Sequence, residues 1–375
     1  MILTDTQEQI RDSVRSFAQA EIAPLAFEWE QAGAYPRAVF RQLADLGLMG
    51  MTAPEECGGA GADYVSYALA LMELAAADGG LSTVVSVHNA PVIAALLHEA
   101  SEAQREVWLP QLCSAGVIGA FALTEAGAGT DAAAIRTRAR MDGGHYVLNG
   151  SKQFITSGRL ADLVLTFGIT DPTAGKKGLT AFLVPTARPG YGIAKVESKL
   201  GQRASDTCSL TFDELRIEPE LRLGAEGDGY RIALSNLEVG RIGIAAQSIG
   251  MAQSALAIAV AYAKERVSFG HSIMTHQAVG HRLADLAASL EAARQLVLHA
   301  AALKDAGRPC LSEACMAKLV ASETAERVCS GSLQTLGGYG YLEDYRIAKI
   351  YRDVRVCQIY EGTSDVQRLV IARHL

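Results

Sequence analysis

The chain has 375 residues, of which 49% are hydrophobic and 20% charged, with a formal net charge of −7. That length and apolar content can bury two or three cores, so several domains are expected. An acidic balance without a basic run gives no electrostatic reason to bind nucleic acid or an anionic membrane surface.

The start, Met1-Ile2-Leu3-Thr4-Asp5, lacks the basic and apolar stretches of a signal peptide, and no segment reads as the roughly 18 apolar residues of a membrane span. A soluble, cytoplasmic protein is expected. Seven cysteines are odd in number, scattered and never spaced C-x-x-C, which predicts buried free thiols and no metal site. H-E-x-x-H, G-x-S-x-G and Walker-type patterns are absent, which removes the usual starting points for zinc hydrolysis, nucleophile-elbow chemistry and P-loop phosphoryl transfer.

In chain order, Thr4 and Gln7 read as a capping box that opens a helix with Ile10, Val14, Phe17 and Ala18 on one face. Ala- and Leu-rich helical sequence runs on to about Ala115, broken at Pro54 to Gly61 and at Gly79-Gly80, so 1–116 is expected to be all-helical. From Val117 to Gly224 short β-rich runs, such as Tyr146-Val147-Leu148 and Leu163 to Phe167, sit between turns at Asp142-Gly143-Gly144, Asn149-Gly150 and Ala174-Gly175. This predicts a middle antiparallel β-barrel or sandwich over 117–224.

Gly127 to Ala132 fits the dinucleotide fingerprint G-x-G-x-x-A. That fingerprint requires a crossover helix and a parallel strand next, whereas 136–156 reads as strand, turn, strand, turn, strand. The glycines are therefore read as a turn. After Gly229 the helical period returns. Val279, Leu283, Leu286, Leu290, Ala293, Val297 and Ala300 form the packing seam of a four-helix bundle over 225–375. Helices, then strands, then helices exclude the β-α alternation of a parallel sheet, so the fold is expected to be mainly α with a central β domain. Glu238 and Arg241, three apart on one helix, read as a local ion pair. Ser364 and Gln367 read as a capping box for a last helix, Asp365 to Arg373, with Glu361 and the permissive Gly362 in the turn before it.

Four separated segments carry a resemblance that spans nearly the whole chain. They are Phe121-Ala122-Leu123-Thr124-Glu125 with Gly127 to Asp131; Arg266 to Gly270 with Gln277; Gln334 to Gly338; and Ile359-Tyr360-Glu361-Gly362-Thr363-Ser364. In this order and spacing they resemble the acyl-CoA dehydrogenase family, most closely its short-chain and short-branched-chain members. The family has the same domain order. The resemblance implies FAD as cofactor, an acyl-CoA substrate oxidised to the 2,3-enoyl-CoA, and an electron-transfer flavoprotein as electron acceptor.

Residue by residue, it implies that Glu361 is the proton-abstracting base. Phe121, Leu123, Thr124, Gly129 and Thr130 would line the isoalloxazine, with Thr130 also touching substrate. Phe154, Ile155 and Thr156 would pack against the flavin, and Thr363 and Asp365 would contact FAD. Arg266, Phe269, Gln277, Gln334, Gly337 and Gly338 match residues that reach a neighbour's FAD across a subunit interface, which implies a homotetramer built as a dimer of dimers. Glu238 and Arg241 would hold the CoA moiety, with Tyr360 and Gly362 at the substrate. The chain departs from the family's commoner residues at Phe154 (Trp), Glu238 (Asp) and Asp365 (Glu or Gln). Some members keep the base immediately before the residue matching Arg241; here that place is Gly240.

The chemistry suits these residue types. Removing an α-proton from a thioester needs a carboxylate made more basic by burial, and small residues let the Ala128 to Thr130 backbone approach a cofactor. Two other classes share the fold: acyl-CoA oxidases with flavin monooxygenases, and flavin-stabilised DNA-binding proteins. Glu361, Glu238 and Arg241 argue against a monooxygenase, and the acidic charge argues against DNA binding.

Overall fold

A computed structural model describes the whole chain, residues 1–375. Helix α1 (Asp5–Phe17) starts at the expected box: Thr4 Oγ1 accepts the Gln7 N–H at 3.3 Å, and Gln7 Oε1 accepts the Thr4 N–H at 3.1 Å. Six more helices follow: α2 (Ala26–Ala32), α3 (Arg37–Asp45), α4 (Tyr64–Ala77), α5 (Gly79–Val87), α6 (Ala94–Glu99) and α7 (Glu102–Cys113).

The Gly79-Gly80 break is the joint between α4 and α5, where Asp78 Oδ1 caps α5 by accepting the Leu81 N–H at 2.8 Å. Both glycines are required by close approach. A Cβ on Gly79 would lie 2.4 Å from Met251 Sδ, and one on Gly80 2.4 Å from the Tyr35 hydroxyl.

The sheet contains β1 (Gly119–Ala122), β2 (Arg138–Asp142), β3 (His145–Thr156), β4 (Leu163–Ile169), β5 (Leu179–Pro185), β6 (Tyr191–Val196), β7 (Thr207–Ile217) and β8 (Arg222–Leu223). Its order is β6-β7-β3-β2-β4-β5-β8, with β1 also on β4. Most neighbours are antiparallel, but β1 runs parallel to β4 and β2 touches β4 through one parallel pair, so the sheet is mixed. Gly127 to Ala132 is followed by the β2–β3 hairpin, not by a crossover helix.

Asn149-Gly150 is not the expected turn. Strand β3 passes straight through it as a bulge against β7. The dipeptide serves the bulge instead: Asn149 exchanges hydrogen bonds with Glu214 at 2.7 and 3.0 Å, and a Cβ on Gly150 would sit 2.7 Å from the Thr137 Cα.

The C-terminal part comprises α8 (Gly229–Glu265), α9 (Gln277–Asp305), α10 (Leu311–Leu336), α11 (Arg346–Val354) and α12 (Ser364–Ala372). Three of these are long. Leu283, Leu286, Leu290, Ala293, Val297 and Ala300 of the predicted seam are buried, and Val279 is half-buried at its end. One continuous apolar core joins α4 and α5 to α8, α9 and α10, while two smaller cores serve the sheet.

Two helical runs, Gly79–Glu99 and Gly229–Glu265, are long and apolar enough to cross a membrane, contrary to the expectation that none would be. Packing explains them: 89% and 61% of their most apolar windows are buried within the fold. Their small Ala, Gly and Ser residues let neighbouring helices come close.

A buried polar knot ties the two helical regions to the sheet region. Lys349 Nζ sits 2.9 Å from Asp78 Oδ2 and 2.6 Å from Asp353 Oδ2. The Tyr35 hydroxyl donates to Asp78 at 2.5 Å, and the Gln202 N–H donates to Asp353. Burial opposes the charge on Lys349, but the two carboxylates outweigh it and hold the ammonium protonated.

Candidate active site

Glu361 sits where these regions meet, in a turn with two successive left-handed residues: φ is +54° at Glu361 and +86° at Gly362. For a non-glycine residue that backbone costs roughly 1 kcal/mol and needs external support. The support comes from below. Gln367 Nε2 donates to the Glu361 and Gly362 carbonyls at 3.0 and 2.8 Å, and Lys318 Nζ donates to the Gly362 carbonyl at 2.7 Å. The expected Ser364–Gln367 box is therefore displaced by one residue: Thr363 caps α12, its hydroxyl accepting the Val366 N–H, because Gln367 is drawn to the turn.

The Glu361 side chain lies against α8. Its Oε2 is enclosed and has no hydrogen-bond partner, and an ideal Cβ built on Gly240 would stand 2.8 Å from it. The alternative position for a base and the carboxylate of Glu361 thus converge on one spot, and a side chain at 240 would have to move the carboxylate. Gly240→Ala is expected to displace the carboxylate and lower kcat by up to about 10²-fold, a cost that misplacing a reacting group by about 1 Å can reach. Steady-state kinetics of a variant with a normal melting curve checks this.

Burial raises the Glu361 pKa, and the Arg241 and Lys318 cations only partly oppose it. Arg241 is buried, has no carboxylate within ion-pair distance, and its Nε lacks a partner. The expected Glu238–Arg241 pair does not form. Glu238 instead binds Lys304 of α9 at 2.9 Å, which leaves Arg241 unneutralised beside the Glu361 cavity. The Glu361 N–H has no acceptor either. The Tyr360 hydroxyl is engaged with Gln247 (3.1 Å), Gln202 (3.3 Å) and Thr83 (3.4 Å), one residue from each of the three regions. Its ring, not its hydroxyl, is left for a ligand.

The segment after β1 is fixed from β3. Lys152, fully buried, contacts Glu125 Oε1 at 2.9 Å and the Leu123 carbonyl at 3.2 Å, while the Gln153 N–H donates to the Thr124 carbonyl at 2.8 Å. Burial pushes the Lys152 pKa down to about 8 against the pull of Glu125. Glu125 and Ala128 exchange backbone hydrogen bonds, so the Ala128 N–H is used internally while those of Gly129 and Thr130 have no internal acceptor. Gly127, Gly129 and Thr130 are exposed, and Cβ atoms on the two glycines would meet nothing within 4 Å.

Phe121 and Thr124 are half-buried beside this turn, as is Thr156 on β3, whereas Leu123 and Ile155 point into the cores and can offer only backbone. Phe154 has φ +61° and is 61% exposed. Thr363 and Asp365 begin α12, half-buried and exposed respectively.

A second group lies elsewhere on the surface. Arg266, Thr335, Gly337, Gly338, Tyr339 and Tyr262 line a groove of about 440 Å³, where the Arg266 guanidinium lies 5.7 Å over the Tyr339 ring and has no acidic partner. Gln334 and Gln277 are exposed at the facing ends of α10 and α9, and Phe269 is 93% exposed. An unpaired guanidinium, open glycines and exposed aromatic rings are the donor set that a dinucleotide with a pyrophosphate and flat rings requires, so the residues fit FAD.

Residue patterns did not single out Lys152, Lys318 or Gln247, and they gave Gln367 only a capping role. For Lys318 a signal existed: it falls on the α10 stripe of Ala314, Ala317, Ala321 and Ala325, a lysine among core positions.

Three family models define the class. Acyl-CoA dehydrogenase N-terminal, middle and C-terminal domains match residues 4–116, 120–215 and 227–375. The chain belongs to the acyl-CoA dehydrogenase family. Among relatives, it is 43% identical to the mitochondrial short-chain specific acyl-CoA dehydrogenase of Bos taurus, over 100% of this chain and 90% of that one. Butyryl-CoA dehydrogenase from Megasphaera elsdenii superposes with a TM-score of 0.97 at 40% identity, covering 100% and 99% of the two chains. A chain of the structure described as an electron transferring flavoprotein of Acidaminococcus fermentans superposes at 0.98 with 41% identity, covering 100% and 98%. The family consists of FAD-dependent oxidoreductases, and FAD-dependent dehydrogenation of an acyl-CoA is the activity of this chain.

Proposed function

We propose that Glu361 removes the α-proton of a short-chain acyl-CoA and that its own N–H donates to the thioester carbonyl as charge develops there. The enclosed, unpartnered Oε2 beside Gly240 carries this reading. A carboxylate kept from water is a stronger base, and a main-chain donor to the carbonyl where charge develops is worth roughly 3–4 kcal/mol to the transition state. FAD, when bound, accepts the hydride that leaves the β-carbon.

Phe121, Thr124, Gly129, Thr130, Phe154 and Thr156, with the backbone of Leu123 and Ile155, hold the flavin together with Thr363 and Asp365. Arg266, Phe269, Gln277, Gln334, Gly337 and Gly338 receive a second subunit's FAD in a tetramer. The exposed Val267, Phe269, Tyr341 and Leu342 around the groove support such a contact. Arg241 attracts the anionic CoA moiety and Thr130, Tyr360 and Gly362 flank the acyl group. Glu238, bound to Lys304, would reach the CoA moiety only together with that lysine. Electrons pass on to an electron-transfer flavoprotein, in keeping with the Acidaminococcus likeness.

The packing of α8 supports a short chain. One turn beyond Gly240, a Cβ on Gly243 would lie 2.5 Å from Ser86 Oγ and 3.0 Å from the Tyr67 hydroxyl. This face of the helix is closed there, so an acyl group laid along it meets a floor. Anaerobic bleaching of the flavoprotein by a panel of acyl-CoAs tests the reading. Butyryl-CoA is expected to bleach it fastest and octanoyl-CoA slowly. Bleaching by no acyl-CoA would overturn the reading, and octanoyl-CoA as the fastest substrate would overturn the chain-length part.

The pH dependence follows from the raised pKa. The carboxylate is the active form, so activity rises as pH climbs through that value. The acid limb of kcat/KM is therefore expected above the ordinary glutamate range near about 4.3. A limb at or below that range in a steady-state pH series would contradict the burial argument.

A further inference from the structure

Three lysines are fully or nearly fully buried: Lys152, Lys318 and Lys349. Lys152 is paired with Glu125, and Lys349 with Asp78 and Asp353. Lys318 is the exception. No carboxylate lies within ion-pair distance of it, and its one hydrogen bond is to the Gly362 carbonyl at 2.7 Å. Burying an ammonium without a counter-ion opposes folding by several kcal/mol, so a core position of this kind calls for a role other than stability.

We propose that Lys318 is a positioning residue for Glu361, holding the left-handed Glu361-Gly362 turn through the Gly362 carbonyl and supplying the positive charge that keeps the enclosed carboxylate in its basic form. The inference rests on Glu361 being the base.

The surroundings support both halves. The turn has no ladder of its own, and of its three supporting side-chain bonds two come from Gln367 and the third from Lys318. The charged and titratable groups around it come from every packed element. Arg241 faces it from α8 and Cys315 from α10 itself. Cys357 lies in the segment after α11 and Glu361 in the turn, while the Tyr67 hydroxyl faces Glu361 from α4. Glu238 also acts on Cys315 but is paired with Lys304, so Glu361 is the one unpaired carboxyl left to the two buried cations.

Burial pushes the Lys318 pKa down to about 8, with Cys357 and Glu361 working to retain the proton and Arg241 against it. The ammonium favours ionised Glu361 and loses that interaction once Glu361 takes the substrate's proton. Removing the cation raises the Glu361 pKa, and the acid limb of the activity profile moves to higher pH.

The test compares Lys318→Met and Lys318→Gln with wild-type holoenzyme, following pH profiles of kcat and kcat/KM for butyryl-CoA, bound FAD and thermal melting. For Lys318→Met we expect kcat to fall roughly tenfold, as for a loosened reacting group, and the acid limb to rise by about one pH unit. KM, FAD content and melting temperature should not worsen, because a lone buried charge has been replaced by an apolar chain. Lys318→Gln, which keeps an N–H for Gly362 without the charge, should recover kcat above the limb while the limb stays displaced.

An unmoved limb in both variants would overturn the proposal. So would a loss of activity that merely tracks lost FAD or a lowered melting temperature. If Lys318→Met does not fold, the limb of Lys318→Gln decides alone. Glu361→Gln measured in parallel separates the two levels: near-normal flavin reduction there removes the base assignment itself, whereas an inactive Glu361→Gln beside unaltered Lys318 variants removes only the role of Lys318.

Discussion

Glutamine in place of Glu361 is expected to leave the protein folded with FAD bound, and to slow flavin reduction by acyl-CoA at least about 10³-fold. The substitution keeps size and shape, so the contact with Gly240 survives. The turn should survive too, because Gln367 and Lys318 hold its carbonyls and not the Glu361 carboxyl. What is lost is the proton acceptor. The position that could house a substitute base is Gly240, which has no side chain. Charge stabilisation at the thioester carbonyl should persist, since the Glu361 N–H belongs to the main chain, and this leaves a small residual rate. Anaerobic stopped-flow bleaching measures the change, and a rate within tenfold of wild type would remove Glu361 from the chemistry.

The second large effect is on stability. Lys349→Met is expected to destabilise the fold by about 3–5 kcal/mol, because it leaves Asp78 and Asp353 buried with no cation between them. The loss should be cooperative, since those residues join the α4–α5 joint, α11 and, through Gln202, the sheet region. Chemical denaturation of the holoenzyme would show it as a lower midpoint. The contrast with Lys318→Met is informative: both replace a buried lysine, but only Lys349 stands between two carboxylates. An unchanged midpoint for Lys349→Met would mean that the knot is dispensable.

Local signals in the sequence translated well where no remote group competed for either partner. Thr4 and Gln7 found each other because the box is three residues long, and the α9 seam followed from a period that packing reads directly. Asn149-Gly150 failed for the opposite reason. The same dipeptide serves a hairpin turn and a bulge, and the residues that decide between them, Thr137 and Glu214, are remote in sequence. Glu238 likewise found Lys304, 66 residues away, in preference to its helical neighbour Arg241. The apolar run in α8 is long enough to span a membrane, contrary to expectation, and its small residues are what allow its helix contacts.

The site was legible in a different way. No periodicity distinguishes Glu361 from any acid before a helix; its motif did so. The roles of Gln367 and Lys318 in its turn were silent because each acts through a main-chain carbonyl of another residue, a partnership that leaves no mark on side-chain pattern. Lys318 alone interrupts an alanine stripe, and a charged residue at a core position is a feature that a sequence reader can learn to question.

The central claim is that one enclosed carboxylate takes the proton from the carbon next to the thioester. It is tested most directly with a 3-thia-acyl-CoA, which has α-hydrogens but no β-hydrogen to transfer, incubated with the holoenzyme in deuterated water. Wild type is predicted to place deuterium at the α-carbon, and Glu361→Gln to do so no faster than buffer. Equal incorporation by both proteins would contradict the account.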